Sequence, residues 1–302
     1  MSYPTKVLFF RKFPKAVEPG SILFYDFKLN GNPGFRKFKS RFAMAIGLKA
    51  GEDLKSLKSF EKILTKLVRV EKQTGLRPRQ FICAGGGSVG DFVGFLASVY
   101  KRGTTLINVP TTWLSAVDSA HGGKTALNFH SAKNQLGTFY PAHQVWIVHE
   151  VFRSLPTVRE NEARSEVLKM ALLDGGSWAR SYLENPIDNL WRVLPSAIRA
   201  KEKIVKQDLY EKTGKRLVLN LGHTVGHVLE SHYKISHGSG VALGLKFSFA
   251  LSRQKGLLTE LDFTKFTLAL EKCEFSAIEK RIARRPLTKS QARKLLVADK
   301  KA

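Results

Sequence analysis

The first 150 residues alternate short β-rich apolar runs with stretches in which apolar positions recur at helical spacing. Residues 21–27 (SILFYDF), 81–84 (FICA), 106–109 and 145–148 predict strands. Residues 51–69 bring Leu54, Leu57, Phe60, Ile63, Leu64 and Leu67 to one face, the pattern of an amphipathic helix. A further apolar run at 89–100 predicts the helix after the second strand. Such alternation predicts an α/β layer with a parallel sheet. Beyond Pro156 the pattern changes, and residues 160–173, 188–208, 217–233, 238–254 and 261–271 all read as helix. The segment 212–216 (KTGKR) reads as a loop, and 280–301 as an amphipathic helix with a basic solvent face.

Composition fits this division. With 302 residues, 43% of them apolar and 25% charged, the chain is globular and long enough for one or two domains of ~100–200 residues each. The change of pattern near residues 152–157 predicts an α/β domain at 1–155 and an all-α domain at 156–302. No stretch reaches the ~18 apolar residues of a membrane-spanning helix. The apolar run at 7–10 is cut by Arg11 and Lys12, so no secretory leader is expected. Cys83 and Cys273 are the only cysteines, which excludes a disulfide framework and predicts a soluble cytoplasmic protein.

Charge adds one unusual feature. Lys and Arg number 50 against 25 Asp and Glu, a net charge of +25 and an isoelectric point of about 10.1. Anionic partners are therefore expected: nucleic acid, a membrane surface, or phosphorylated and carboxylated metabolites. Zinc-finger spacing, aromatic nucleic-acid motifs and basic regions leading into heptads are not found. Non-specific nucleic-acid binding at low salt is expected, and specific binding is not.

Three stretches carry candidate chemistry. Residues 85–90 (GGGSVG) place G-x-G-x-x-G between a strand and a helix, where glycines let backbone N–H groups approach a pyrophosphate. The motif lies far from the N-terminus and lacks an acidic residue ending the next strand, so a tight structural turn is the competing reading. Asp91 follows as a partner for a ribose or nicotinamide group. Residues 109–128 (VPTTWLSAVDSAHGGKTALN) crowd hydroxyls and small residues beside Asp118 and Lys124, with Lys133 and Asn134 shortly after. They describe either a polar ligand pocket or a solvated loop. In the helical half, His223 and His227 lie at i, i+4, and His237 opens a further helix. Glu166 and Lys169 share a face of an earlier helix. Two histidines plus a carboxylate form the ligand set of a catalytic zinc site. Spacing alone favours His223, His227 and a carboxylate, against histidines with no metal role. His121, His130, His143, His149 and His232 show no such arrangement.

The blocks GGGSVGD, YKRG, VPTT, VDSxxGGKTALN, KN, EVLK, LNLGHTVGH and SHG occur in this order, and the series resembles the 3-dehydroquinate synthases, a sugar-phosphate cyclase family. The resemblance runs from about Gly51 to Lys301. It implies a Rossmann-like N-terminal domain binding NAD and an all-α C-terminal domain binding Zn2+ or Co2+. The implied metal ligands are Glu166, His223 and His237, while His227 faces the substrate phosphate. Glu52, Lys55, Gly86, Gly87, Asp91, Thr111 and Thr112 match nucleotide-contacting positions. Asp118, Lys124, Lys133, Asn134, Lys169, Lys201, Arg216 and Asn220 match substrate or nicotinamide-side positions. Arg102 matches an arginine that reaches a neighbouring subunit's site, which implies a homodimer, and one of Lys300 and Lys301 contacts phosphate.

The implied reaction converts 3-deoxy-arabino-heptulosonate 7-phosphate to 3-dehydroquinate and phosphate. Three departures stand out. Ser239 replaces the glutamate that follows His-Gly in the family, His121 replaces a small apolar residue, and the loop at 208–216 carries one extra residue, which leaves Glu211 to match an acidic site position. Three other readings stay open: a related cyclase with another sugar phosphate, a metal-dependent alcohol or glycerol dehydrogenase, and a catalytically impaired basic descendant.

Overall fold

The chain divides into two units, Met1–Leu155 and Pro156–Ala302, and the computed structural model describes residues 5–75, 77–130, 132–273 and 275–298. In the first unit the elements are β1 (Lys6–Phe10), β2 (Ser21–Asp26), α1 (Pro33–Lys39), β3 (Met44–Leu48), α2 (Leu57–Thr74) and β4 (Gln80–Gly85). Then come α3 (Gly87–Val99), β5 (Thr105–Pro110), β6 (Lys124–Phe129), β7 (Ala132–Phe139), β8 (Gln144–Val148) and α4 (His149–Phe152). Six strands form one parallel sheet in the order β1-β8-β5-β4-β2-β3. β4 is buried along its whole length and β2 nearly so, hence their unbroken apolar runs. Phe24 and Phe81 meet edge to face across the β2–β4 pair, ring centroids 5.0 Å apart.

The parallel sheet follows the sequence pattern, but its two edges do not. β1 and β3 are mixed in exposure, because an edge strand has one open flank, and the sequence pattern does not single them out. Residues 51–69 are not one helix. A 3-10 turn at Glu52–Lys55 comes first, and α2 starts after Ser56, whose extended backbone and side chain cap the Ser59 N–H at 3.3 Å. The residues after Lys124 fold into the antiparallel β6–β7 hairpin, which packs on α3.

The second unit holds α5 (Thr157–Asp174), α6 (Ser177–Glu184), α7 (Leu190–Gln207), α8 (His223–Tyr233), α9 (His237–Gln254), α10 (Glu260–Glu271), α11 (Ser276–Ala283) and α12 (Lys289–Ala298). α5 is its centre, with every residue from Ala163 to Ala171 buried. Two predicted helices are each split. Residues 217–233 divide at Gly222, which takes a φ of 80° between a 3-10 turn at Lys215–Asn220 and α8. Residues 280–301 contain Pro286, which has no N–H to donate, and α11 ends before it. The cysteines are fully buried, Cys83 on β4 and Cys273 just after α10. Among the described residues no helix is long and apolar enough to cross a membrane.

Candidate active site

In the first unit the glycine turn, Thr111 and Thr112 gather at the carboxyl ends of β4 and β5, the edge where open α/β sheets take ligands, whereas Arg102 lies just before the amino end of β5. The strands run in register with Gly85 opposite Pro110, and the Thr111 N–H donates to the Gly85 carbonyl at 3.0 Å. This sets the glycine turn beside Thr111 and Thr112. A Cβ on Gly86 would stand 3.1 Å from Thr112 Cγ2, and one on Gly87 3.2 Å from Ser119 Oγ. Both glycines thus keep open a space that a side chain would fill, at the start of α3. Lys55, almost wholly buried, donates from Nζ to Asp91 Oδ2 at 2.6 Å and to Asn134 Oδ1. Burial raises the Asp91 carboxyl, with Lys55 acting against it. Asn128 bridges the group, taking the Asn134 N–H at 2.9 Å and donating to Glu52 Oε2 at 2.9 Å. Asn134 itself has a φ of 54°, and Lys124 and Lys133 are exposed on the hairpin. Asp118 is half-buried in the turn after β5. Arg102 is exposed, with a φ of 68°.

The second unit gathers Glu166 from α5, His223 from α8 and His237 from α9. Glu166 has no exposed surface, and its Oε1 lies 3.6 Å from His223 Nε2 and 3.5 Å from His237 Nε2. Its other oxygen pairs with Lys169 Nζ at 2.5 Å. A buried carboxylate without a cation would be strongly disfavoured, and Lys169 supplies one here. His237 donates from Nδ1 to Glu230 Oε1 at 2.9 Å. Burial acts to lower the metal-free His237 ring, but hydrogen bonds to Glu166 and Glu230 outweigh it and push it up to about 10, and a metal on Nε2 would take the place of that proton. His227 completes a group of three rings, with centroids 5.4 Å from His223 and 6.1 Å from His237.

Arg216 is buried and fixed from three sides. Its N–H donates to Asp208 Oδ2 at 3.3 Å, its Nη1 to the Leu209 carbonyl at 2.9 Å, and its Nε faces Glu211 at 3.5 Å. Lys201 on α7 is also buried, and Asn220 is half-buried. Lys300 and Lys301 lie outside the described residues.

Comparison with known proteins places this arrangement. Residues 45–162 match the 3-dehydroquinate synthase N-terminal family description, and residues 163–302 match the C-terminal one. The chain belongs to the 3-dehydroquinate synthase family. The 3-dehydroquinate synthase of Thermoplasma volcanium is 42% identical over 208 residues, 66% of this chain and 56% of that protein. That of Alkaliphilus oremlandii is 39% identical over 247 residues, 78% of this chain and 66% of that protein. This chain thus spans about three fifths of the length of these relatives, between 56% and 66%. Two solved structures share the fold. One is 2-deoxy-scyllo-inosose synthase complexed with carbaglucose-6-phosphate, NAD+ and Co2+ (TM-score 0.77, 24% identity, covering 93% of this chain and 78% of that one). The other is 2-epi-5-epi-valiolone synthase from Streptomyces hygroscopicus subsp. jinggangensis 5008 with NAD+ and Zn2+ bound (TM-score 0.77, 22% identity, covering 98% and 86%).

The donor set of this 3-dehydroquinate synthase family member fits a divalent metal. One ligand atom each from Glu166, His223 and His237 lies within 4.8 Å of the others. Tetrahedral ligands held ~2.0–2.1 Å from zinc stand roughly 3.3–3.5 Å apart, close to the separations of Glu166 from both rings. Spacing along α8 pointed to His223 and His227 together, whereas the carboxylate Glu166 gathers with His223 and His237. A second group of His227, Glu230 and His237 shares the last ring. Glu230 is the residue sequence reasoning did not assign, although it lies at i+7 from His223 and i+3 from His227, on their face of α8. His121 is packed in, its Nε2 at 2.9 Å from the Ala116 carbonyl.

Proposed function

We propose that this chain is a 3-dehydroquinate synthase, a phosphate-eliminating lyase that converts 3-deoxy-arabino-heptulosonate 7-phosphate to 3-dehydroquinate and phosphate. The observation that carries the reading is the gathering of Glu166, His223 and His237 beside the buried Lys169 in a chain of this family. These three residues would hold Zn2+ or Co2+. The space kept by Gly86 and Gly87, with Glu52, Lys55, Asp91, Thr111 and Thr112 around it, would hold NAD. When bound, NAD supplies a transient hydride acceptor and the metal supplies Lewis acidity toward two adjacent substrate hydroxyls.

This chain's own residues then bind and orient. Asp118, Lys124 and Lys133 serve the nicotinamide side. Lys169, paired with Glu166 at 2.5 Å, presents a fixed cation where a substrate oxygen gains negative charge. In the second unit Arg216, held by the Asp208 carboxylate and the Leu209 carbonyl, and His227, Lys201 and Asn220 receive the phosphate and carboxylate. Prepositioned cations orient an anionic substrate as well as bind it. The redox change is internal and cancels within one turnover: a C–O bond to phosphate breaks, a ring C–C bond forms, and no NADH accumulates. Arg102 is assigned to the neighbouring subunit's site in a homodimer, and a monomer with full turnover would remove that assignment.

Phosphate release from the heptulosonate should require catalytic NAD and stop with a chelator. His223→Ala should lose both metal and turnover. Stoichiometric NADH production from a simple alcohol would instead favour a dehydrogenase, and full metal content in His223→Ala would overturn the ligand set.

A further inference from the structure

The start of α9 carries two small residues, Ser239 and Gly240, shortly after His237. Ser239 is buried and turned to its own helix start, its Oγ 2.8 Å from Ser236 Oγ. No carboxylate comes from that position. One comes from α8 instead: Glu230 Oε1 accepts from His237 Nδ1 at 2.9 Å. The next residue, Gly240, makes room for it. A Cβ at 240 would stand 2.6 Å from Glu230 Cγ and 2.7 Å from its Oε1, closer than such atoms can approach.

We propose that Glu230, seated in the space left by Gly240, is the positioning residue for His237. The inference rests on the reading of Glu166, His223 and His237 as metal ligands. A ring that donates from Nδ1 to a carboxylate keeps the lone pair of Nε2 for a metal, and the same bond fixes the plane of the ring. Nε2 of His237 faces Glu166 and lies on the side of His223. The absence of a side chain at 240 lets the carboxylate of α8 stand behind the ring.

The test uses the full chain, with Zn2+ affinity read by competition against a chromophoric chelator and geometry read from the visible spectrum of the Co2+ form. Glu230→Gln should weaken binding by ~10–100-fold and alter the Co2+ bands. Glu230→Ala should weaken it further, since a glutamine oxygen still accepts a neutral hydrogen bond. Gly240→Ala, which meets Glu230 and also the Gly226 carbonyl oxygen at 2.9 Å, should weaken binding at least as much, and Gly240→Ala with Glu230→Gln should lose little more than Gly240→Ala alone. Wild-type affinity and spectrum in Glu230→Gln would overturn the inference, as would fully additive losses in the double variant. His223→Ala separates the two levels. If it loses metal while Glu230→Gln does not, only the role of Glu230 falls; if it keeps full affinity, the ligand set falls too. Circular dichroism on each metal-free variant identifies any chain that has failed to fold, and the Co2+ bands of Glu230→Gln then decide.

Discussion

Asp208 shows how one side chain can hold a buried arginine, Arg216, in place. Its carboxylate takes backbone N–H groups from Lys212 at 2.8 Å, Thr213 at 3.1 Å and Arg216 at 3.3 Å. Burial acts to raise this carboxyl, but those backbone donors outweigh it and hold it below the usual range. A lowered carboxylate stabilises the fold above its unfolded pKa, and that stabilisation is lost as pH falls through the folded value. Asp208→Asn should therefore unfold at lower urea than the parent at neutral pH, with the gap narrowing as pH falls below the ordinary aspartate value of about 3.9. It should also raise KM more than it lowers kcat, since Arg216 is displaced and the reacting groups are not. A urea midpoint unchanged at neutral pH would refute the role. At this scale the shared face of Glu166 and Lys169 was legible from their i, i+3 spacing, whereas spacing alone favoured His227 over His237, which came only with the resemblance. Glu230 was not read, because a glutamate on an exposed-looking helix face is ordinary until the fold puts a ring beside it.

Among the helices, closeness of approach decides the geometry of the site. A Cβ on Gly244 of α9 would lie 1.8 Å from the Gly222 carbonyl oxygen, and one on Gly238 2.0 Å from that of Glu162 on α5. α9 is thus pressed by backbone contact toward both the start of α8 and the first half of α5, and this sets His237 opposite His223 and Glu166. Gly244→Ala should destabilise the chain by about 1–3 kcal/mol, the range for forcing extra volume into a packed contact, and should weaken metal binding with it. An unchanged unfolding midpoint would show that the helices can separate freely. The glycines at 222, 226, 240 and 244 are visible in the sequence at four-residue spacing, yet the periodicity of apolar residues says nothing of which helix they meet. The same limit applies to the strands. β2 and β4 declare themselves by unbroken burial, whereas β1 and β3 at the sheet edges and the β6–β7 hairpin carry mixed patterns that a loop also shows.

For the whole molecule, the net charge of +25 is the feature that the site does not absorb. Lys58, Lys62, Lys66 and Arg69 lie exposed at three- and four-residue spacing along α2, one solvated basic face in the first unit. Such a face attracts polyanions at low salt and is screened within ~8 Å at physiological ionic strength. The buried thiols have a different consequence. Each unit contains a single cysteine, Cys83 in one and Cys273 in the other, and neither has any exposed surface. A thiol reagent can reach them only when the surrounding structure opens, so the chain carries a separate built-in clock for each unit. Alkylation followed by peptide mass spectrometry reads both clocks in one sample. Adding Zn2+ should slow modification of Cys273 far more than that of Cys83, because a ligand of the folded helical unit suppresses its opening in proportion to occupancy. NAD should do the reverse, and equal slowing of both thiols by either ligand would mean that the two units open together.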